Sequence, residues 1–200
     1  MLYALLVIIL KLPIHLLMRP KIYGNKGALR MKGGVIFIAN HRTLFDPVML
    51  AVCTPRMIHF MAKKELFETK IGNFFFKQLL VFPVSRKSAD IKSLRQALKL
   101  LEEGKAFGIF PEGTRSITEG MDEFEKGTAF IAIKSGAPIV PVYISPKSYS
   151  GFRLKIMVGD PILADEIAEY CDKKQLMNVL SNVMQNTMEG LRCQLDGICR

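Results

Sequence analysis

Two residues in one short polar stretch have the types needed for acid–base chemistry. His41 and Asp46 stand five apart in Asn40-His41-Arg42-Thr43-Leu44-Phe45-Asp46-Pro47. On one regular helix they would lie about 140° apart and could not meet, so any contact must run across a turn. Asp46-Pro47 supplies that turn. Aspartate favours the N-cap and proline the first helical position, which predicts a helix from Pro47 to about Cys53. A carboxylate hydrogen-bonded to one imidazole nitrogen fixes the tautomer and steadies the imidazolium. The other nitrogen can then take a proton from an alcohol. No nucleophile on the protein is required if the substrate brings the hydroxyl. The plainer alternative is that Asp46 is only a helix cap and His41 only a loop residue, and the spacing alone leaves both open.

A second polar stretch is Pro111-Glu112-Gly113-Thr114-Arg115-Ser116. Gly113 would let the backbone approach a ligand closely. Arg115 offers a planar fork for phosphate oxygens, and Thr114 and Ser116 offer hydroxyl donors. Glu112 would repel phosphate and suits orienting an arginine or accepting a hydroxyl. The Gly-Lys-Ser/Thr ending of a Walker loop is absent. A polar surface turn with an ordinary salt bridge is the alternative. Arg86, after Phe82-Pro83-Val84-Ser85, is a third candidate for an anion. No metal site is expected. Cys53, Cys171, Cys193 and Cys199 form no Cys-x-x-Cys pair, and His15, His41 and His59 complete no zinc spacing.

These residues need elements to hold them. Val35–Ala39, Met57–Met61, Val81–Val84, Ala106–Phe110, Ile139–Ile144 and Leu154–Val158 read as buried strands. Between them lie helical patterns. In Ala89–Glu103, Ile91, Leu94, Leu98 and Leu101 share a face, with Ser88 at the N-cap position and Gly104 past the end. Lys126–Ser135 and Lys173–Leu195 are further helices, the last striped by Leu176, Leu180, Val183, Thr187, Leu191 and Leu195. Strands buried on both faces, alternating with helices, predict an α/β fold: a mostly parallel central sheet flanked by helices. Ligands of such sheets bind beyond the carboxyl ends of the strands, where both polar stretches fall. Ile71–Leu80 carries Phe74-Phe75-Phe76, more apolar surface than one helix face needs. It either packs in the core or touches lipid or an acyl chain.

The chain has 200 residues, half of them apolar, with a net charge of +10. That composition excludes disorder and points to an anionic partner. Met1–Leu10 carries no charge, and the apolar run resumes from Ile14 to Met18 after Lys11 and Pro13. Arg19, Lys21, Lys26, Arg30 and Lys32 follow with no acid among them. An apolar segment with a basic collar predicts an N-terminal membrane-attachment helix over residues 1–18 and a single domain over 19–200 on the cytoplasmic side. Spanning and interfacial poses both remain open. A disulfide framework is weakly supported, because a chain this long has a core without one, and the four cysteines suit a reducing, cytoplasmic compartment.

Taken together, the motifs resemble a known family. Asn40-His41-Arg42-Thr43-Leu44-Phe45-Asp46 is similar to the His-x4-Asp box of the glycerolipid acyltransferases. Phe110-Pro111-Glu112-Gly113-Thr114-Arg115-Ser116 is similar to that family's second box. Arg86, Lys126-Gly127 and Ala137-Pro138-Ile139-Val140-Pro141-Val142 also fall in the family's order. The likeness covers roughly residues 20–165 and is strongest to bacterial-type 1-acylglycerol-3-phosphate acyltransferases. It implies transfer of a fatty acyl group from acyl-CoA or acyl carrier protein to lysophosphatidic acid at the membrane, giving phosphatidic acid. His41 would be the general base and Asp46 its orienting partner. Arg86 and Arg115, with Gly113 and Thr114, would hold the acceptor's phosphate, and Glu112 would help place it. No metal or cofactor is implied. Another acceptor, such as glycerol-3-phosphate or a different lysophospholipid, is the nearest alternative, and a silent lipid-binding protein is a further one. A hydrolase would need a Gly-x-Ser-x-Gly elbow, which is missing. Lys105–Phe110 lacks the glycine of an RNA-binding strand, so nucleic acid is not the expected partner.

Overall fold

The computed structural model describes residues 2–85, 90–116, 121–151 and 153–197. The strands are β1 (Lys21–Gly24), β2 (Val35–Ala39), β3 (Ile58–Lys63), β4 (Val81–Val84), β5 (Ala106–Ile109), β6 (Ile139–Ile144) and β7 (Lys155–Val158). The helices are α1 (Leu2–Met18), α2 (Asp46–Cys53), α3 (Lys70–Gln78), α4 (Ile91–Glu102), α5 (Lys126–Ser135), α6 (Lys147–Ser150), α7 (Ala164–Ala168) and α8 (Leu176–Asp196). Short 3₁₀ turns occupy Ala28–Arg30 and Lys64–Phe67.

All seven strands form one sheet in the order β1-β7-β6-β2-β5-β3-β4, parallel throughout except for the antiparallel β6–β7 pair. The alternation along β2 divides the core. Val35, Phe37 and Ala39 point to one face, where they meet Met49, Leu50 and Val52 of α2 and Ile14 of α1. Ile36 and Ile38 point to the other, against Ala97 and Leu101 of α4, Ala129 and Ala132 of α5, and Leu180, Met184 and Met188 of α8. Every β2 residue is fully buried, and its carboxyl end opens directly into Asn40-His41. Burial on both sides fixes that loop to the centre of the sheet's carboxyl edge.

Most expected elements stand where the pattern puts them, and the exceptions have physical causes. β1 lies inside the basic stretch, which was expected only as a membrane collar. It is a four-residue edge strand with an exposed Lys21. Its end requires Gly24, whose φ is +73° and where a Cβ would meet the Val158 carbonyl oxygen at 2.1 Å. The cap of α4 is Asp90, which accepts from the N–H groups of Lys92 and Ser93; Ser88, the expected cap, lies outside the described residues. Ile91 is exposed, so the buried face of α4 is Ser93, Ala97, Leu100 and Leu101. In α8 the buried stripe runs through Leu176, Leu180, Met184, Met188 and Leu191. Methionines fill places that the sequence pattern assigned to Val183 and Thr187. No residue of α3 is buried, so core packing is the wrong reading of its phenylalanines. Cys53 and Cys171 are free thiols, whereas Cys193 is disulfide-bonded, the alternative that the sequence supported less.

α1 is an unbroken helix despite Pro13, and it packs on α2. No helix among the described residues is long and apolar enough to cross a membrane.

Candidate active site

The site is assembled at the carboxyl ends of β2, β5 and β6. After β2 the chain turns sharply, and Asp46 becomes the first residue of α2. Its carboxylate does not cap that helix, as the Asp-Pro pair had suggested. It folds back over the turn that precedes it. Oδ2 accepts from the Arg42 N–H at 2.7 Å, the Thr43 N–H at 2.6 Å and His41 Nδ1 at 3.0 Å. Oδ1 accepts from the Thr43 hydroxyl at 3.2 Å and from the Tyr149 hydroxyl. The carboxylate is buried, and burial alone would raise its pKa. The bonds from His41, Tyr149, Thr43 and Arg42 outweigh burial, so Asp46 is held below the ordinary aspartate value. It is therefore an anion at neutral pH, placed against an imidazole that keeps 15% of its side chain exposed.

Three further contacts fix the ring. The His41 N–H donates to Glu112 Oε1 at 2.8 Å, and the His41 carbonyl accepts from the Ser116 N–H at 2.8 Å. The loop after β5 is thus clipped to His41 on both sides of Gly113-Thr114-Arg115. The imidazole stacks on Phe110, centroids 4.3 Å apart and 25° from parallel, and Phe110 in turn stacks on Phe60 at 6.1 Å. Asn40 exchanges two hydrogen bonds with the backbone of Ile144, at 2.8 and 3.0 Å, tying the loop to the last residue of β6. With Nδ1 turned to Asp46, Nε2 is the nitrogen left for a substrate. Two cavities, of about 500 and 460 Å³, lie at Arg30–Gly33 with Arg56 and at Lys64 with Pro83, Ser85 and Asp90; His41 lines neither.

A family model described as Acyltransferase matches residues 20–145. The chain belongs to the Acyltransferase family. The matched span holds the dyad of this acyltransferase and both loops that frame it. Over 182 residues the chain is 32% identical to the 1-acyl-sn-glycerol-3-phosphate acyltransferase of Bacillus subtilis, covering 88% of this chain and 89% of that protein. It is 30% identical over 145 residues to the protein of the same name from Streptococcus pneumoniae, covering 69% and 53%. A Thermotoga maritima crystal structure described as 1-acyl-sn-glycerophosphate (LPA) acyltransferase, PlsC, shares the fold. Its TM-score is 0.66 at 23% identity, covering 88% of this chain and 73% of that one.

The acyltransferase brings together most of the residues singled out from sequence. His41 and Asp46 touch. Thr114 and Arg115 are exposed, one or two residues from the Ser116 tie to His41. Glu112 has a contact that the sequence did not show. It is buried, its two oxygens face the backbone N–H groups of His41 and Asp122, and burial raises its pKa. It braces the His41 backbone. Gly113 also differs. Its φ is +66°, and a Cβ there would meet the Glu125 carboxylate at 2.2 Å, so its bare Cα faces the protein's own side chain. Arg86 lies outside the described residues.

Tyr149 was missed. It sits on α6, a single turn just after β6, and reaches Asp46 from 103 positions away in the chain. Local pattern carries no signal for such a contact. Phe110 stood in the quoted box, but only the fold shows that it shelves the imidazole.

Proposed function

We propose that this acyltransferase moves a fatty acyl chain from an acyl thioester, either acyl-CoA or acyl carrier protein, to the free glycerol hydroxyl of lysophosphatidic acid. The product is phosphatidic acid. The observation that carries this reading is the His41–Asp46 contact, which leaves Nε2 as the base. Nε2 takes the hydroxyl proton as the oxygen attacks the thioester carbonyl. The tetrahedral intermediate collapses, the C–S bond breaks, and the thiolate takes the proton from Nε2. Asp46 stabilises the imidazolium between these steps, and Phe110 holds the ring plane. A thiol is a good leaving group, so general-base help of roughly 10²–10⁴-fold plus positioning is sufficient. The reading needs no metal and no acyl-enzyme. Arg115 with Thr114, and Arg86, are the candidates for the acceptor's phosphate.

The names of the two relatives above support the acceptor. The apolar outer side of α1 and the basic residues that follow support residence on the cytoplasmic face of the cell membrane. The test is product identification by mass, using purified protein with a panel of lysolipids and both thioester donors. Phosphatidic acid from lysophosphatidic acid, in preference to products of the other acceptors, is the expected result. Preferred acylation of glycerol-3-phosphate would overturn the acceptor assignment.

A further inference from the structure

The exposed apolar side chains are not spread evenly. The β2–β3 and β3–β4 connections both carry the chain the same way across the sheet. Right-handed crossovers therefore put α2 and α3 on one face, and α1 packs on α2. The connections through α4 and α5 run the other way, to the opposite face. Sixteen large apolar side chains stand exposed among the described residues. Twelve belong to the α1–α2–α3 side: Leu5, Ile8, Ile9, Leu12, Leu16 and Leu17 on α1, Leu44 and Phe45 at the rim beside His41, and Leu66, Ile71, Phe74 and Phe75 at α3.

Charge follows the same division. Residues 1–85, the segment that contains the helices of this face, hold twelve lysines and arginines and three acids, one of them the buried Asp46. Residues 86–200 hold sixteen and fifteen. Nine of the ten net positive charges therefore come from the part of the chain that bears the apolar side chains. Lys70 and Lys77 bracket the phenylalanines of α3, as Lys11 and Arg19 accompany the stripe of α1.

We infer that this whole face, with α3 as a second contact beside α1, lies flat on an anionic phospholipid bilayer. Resting on the lipid-acting reading above, it adds a docking geometry. α1 is fastened to the body at both ends. The Ile58 N–H donates to the Tyr3 hydroxyl at 3.0 Å, and the Leu154 N–H to the Met18 carbonyl at 2.8 Å. Crossing a bilayer would break both ties, and 17 residues reach only about 25 Å. An in-plane helix sinks its apolar side about 5–10 Å into the headgroup boundary, and lysines beside it meet anionic headgroups. Ile71, Phe74 and Phe75 make the second footing, and Leu44 and Phe45 bring the mouth of the site to the lipid.

The chain contains no tryptophan, so one introduced indole is an unambiguous reporter. Leu12→Trp, Phe74→Trp and Tyr170→Trp are mixed, without substrate, with vesicles of phosphatidylglycerol and brominated phosphatidylcholine. Tyr170 is 88% exposed and follows α7, which packs on α5 and α8. The expected result is loss of about half the emission at positions 12 and 74, as for residues at acyl depth, and no loss at 170. Ile71→Trp replaces Phe74→Trp if that variant melts early, and the same result is expected. Quenching at 12 with none at 71 or 74 would overturn the second contact. So would shielding at 74 without vesicles in a sedimenting dimer, which would make a second copy the occupant. Because no acceptor or donor is present, failure here leaves the acyl-transfer reading untouched, and failure of the lysolipid panel leaves this result standing.

Discussion

Asp46→Asn separates charge from shape at the dyad. The amide oxygen can take the place of Oδ2 and still accept from Arg42, Thr43 and His41, which donate at 2.7, 2.6 and 3.0 Å in the native site. The amide NH₂ then faces the Thr43 and Tyr149 hydroxyls, and both can turn to accept. The fold should survive with a loss of about 1–3 kcal/mol, the scale of weakened hydrogen bonds at a buried charged group. What disappears is the anion beside the imidazolium. Unit charges about 4 Å apart at an effective dielectric of about 20 interact by about 4 kcal/mol. The native pair is buried on the Asp46 side, so water screens it little. A barrier increase of that size slows turnover by about 10³-fold. The assay is kcat at saturating acceptor, followed by thiol release, with circular dichroism and a thermal melt on the same preparation. The KM for the acceptor should change little, because Asp46 does not face solvent. A folded Asp46→Asn variant retaining more than about a tenth of native kcat would refute the electrostatic role.

Other expectations concern the residues around the dyad. Tyr149→Phe removes one donor from Asp46 Oδ1 and leaves the Thr43 hydroxyl. Asp46 then rises toward its ordinary value, and kcat should fall by about 3–10-fold. A folded Tyr149→Phe protein with unchanged kcat would contradict the contact. Glu112 is raised by burial, so its protonated form stabilises the fold. That contribution is complete below about pH 4.3 and is lost as pH rises through the folded value. The Tm of Glu112→Gln relative to wild type should therefore improve from pH 4 to 8, and parallel melting curves would argue against it. At Gly113 a new Cβ would strike the Glu125 carboxylate, but that side chain is exposed and can swing away. The backbone cannot, and Gly113→Ala at φ +66° should cost about 1–2 kcal/mol in a melt. No change in Tm would show that the loop relaxes.

The central sheet was legible because burial writes itself into composition. Val35–Ala39, Val81–Val84 and Ile139–Ile144 are short apolar runs with turn residues on either side, and they match β2, β4 and β6 residue for residue. β1 was illegible for the opposite reason. A four-residue edge strand holding an exposed lysine gains its partner from β7, far along the chain, and nothing local announces that. His41 and Asp46 were legible as a pair, but the direction of the carboxylate was not. Cap preference describes an isolated helix start, and here four donors inside the turn, joined by the Tyr149 hydroxyl, compete with the helix end and win. The bracing role of Glu112 was illegible because sequence shows its charge and hides its burial. The phenylalanines of α3 show the reverse error: apolar composition suggested a core, and only the packing shows that Phe74 and Phe75 stand exposed while Phe76 is half-buried against Phe67.

The central claim is that the free nitrogen of His41 removes the proton from the acceptor's hydroxyl. The most direct measurement is single-turnover acylation of lysophosphatidic acid by His41→Ala, with product read by mass and folding checked by thermal melt. The account predicts a loss of at least about 10³-fold in rate with native-like melting, in line with the range for acid–base catalysis. A well-folded His41→Ala protein that forms phosphatidic acid at close to the native rate would contradict it.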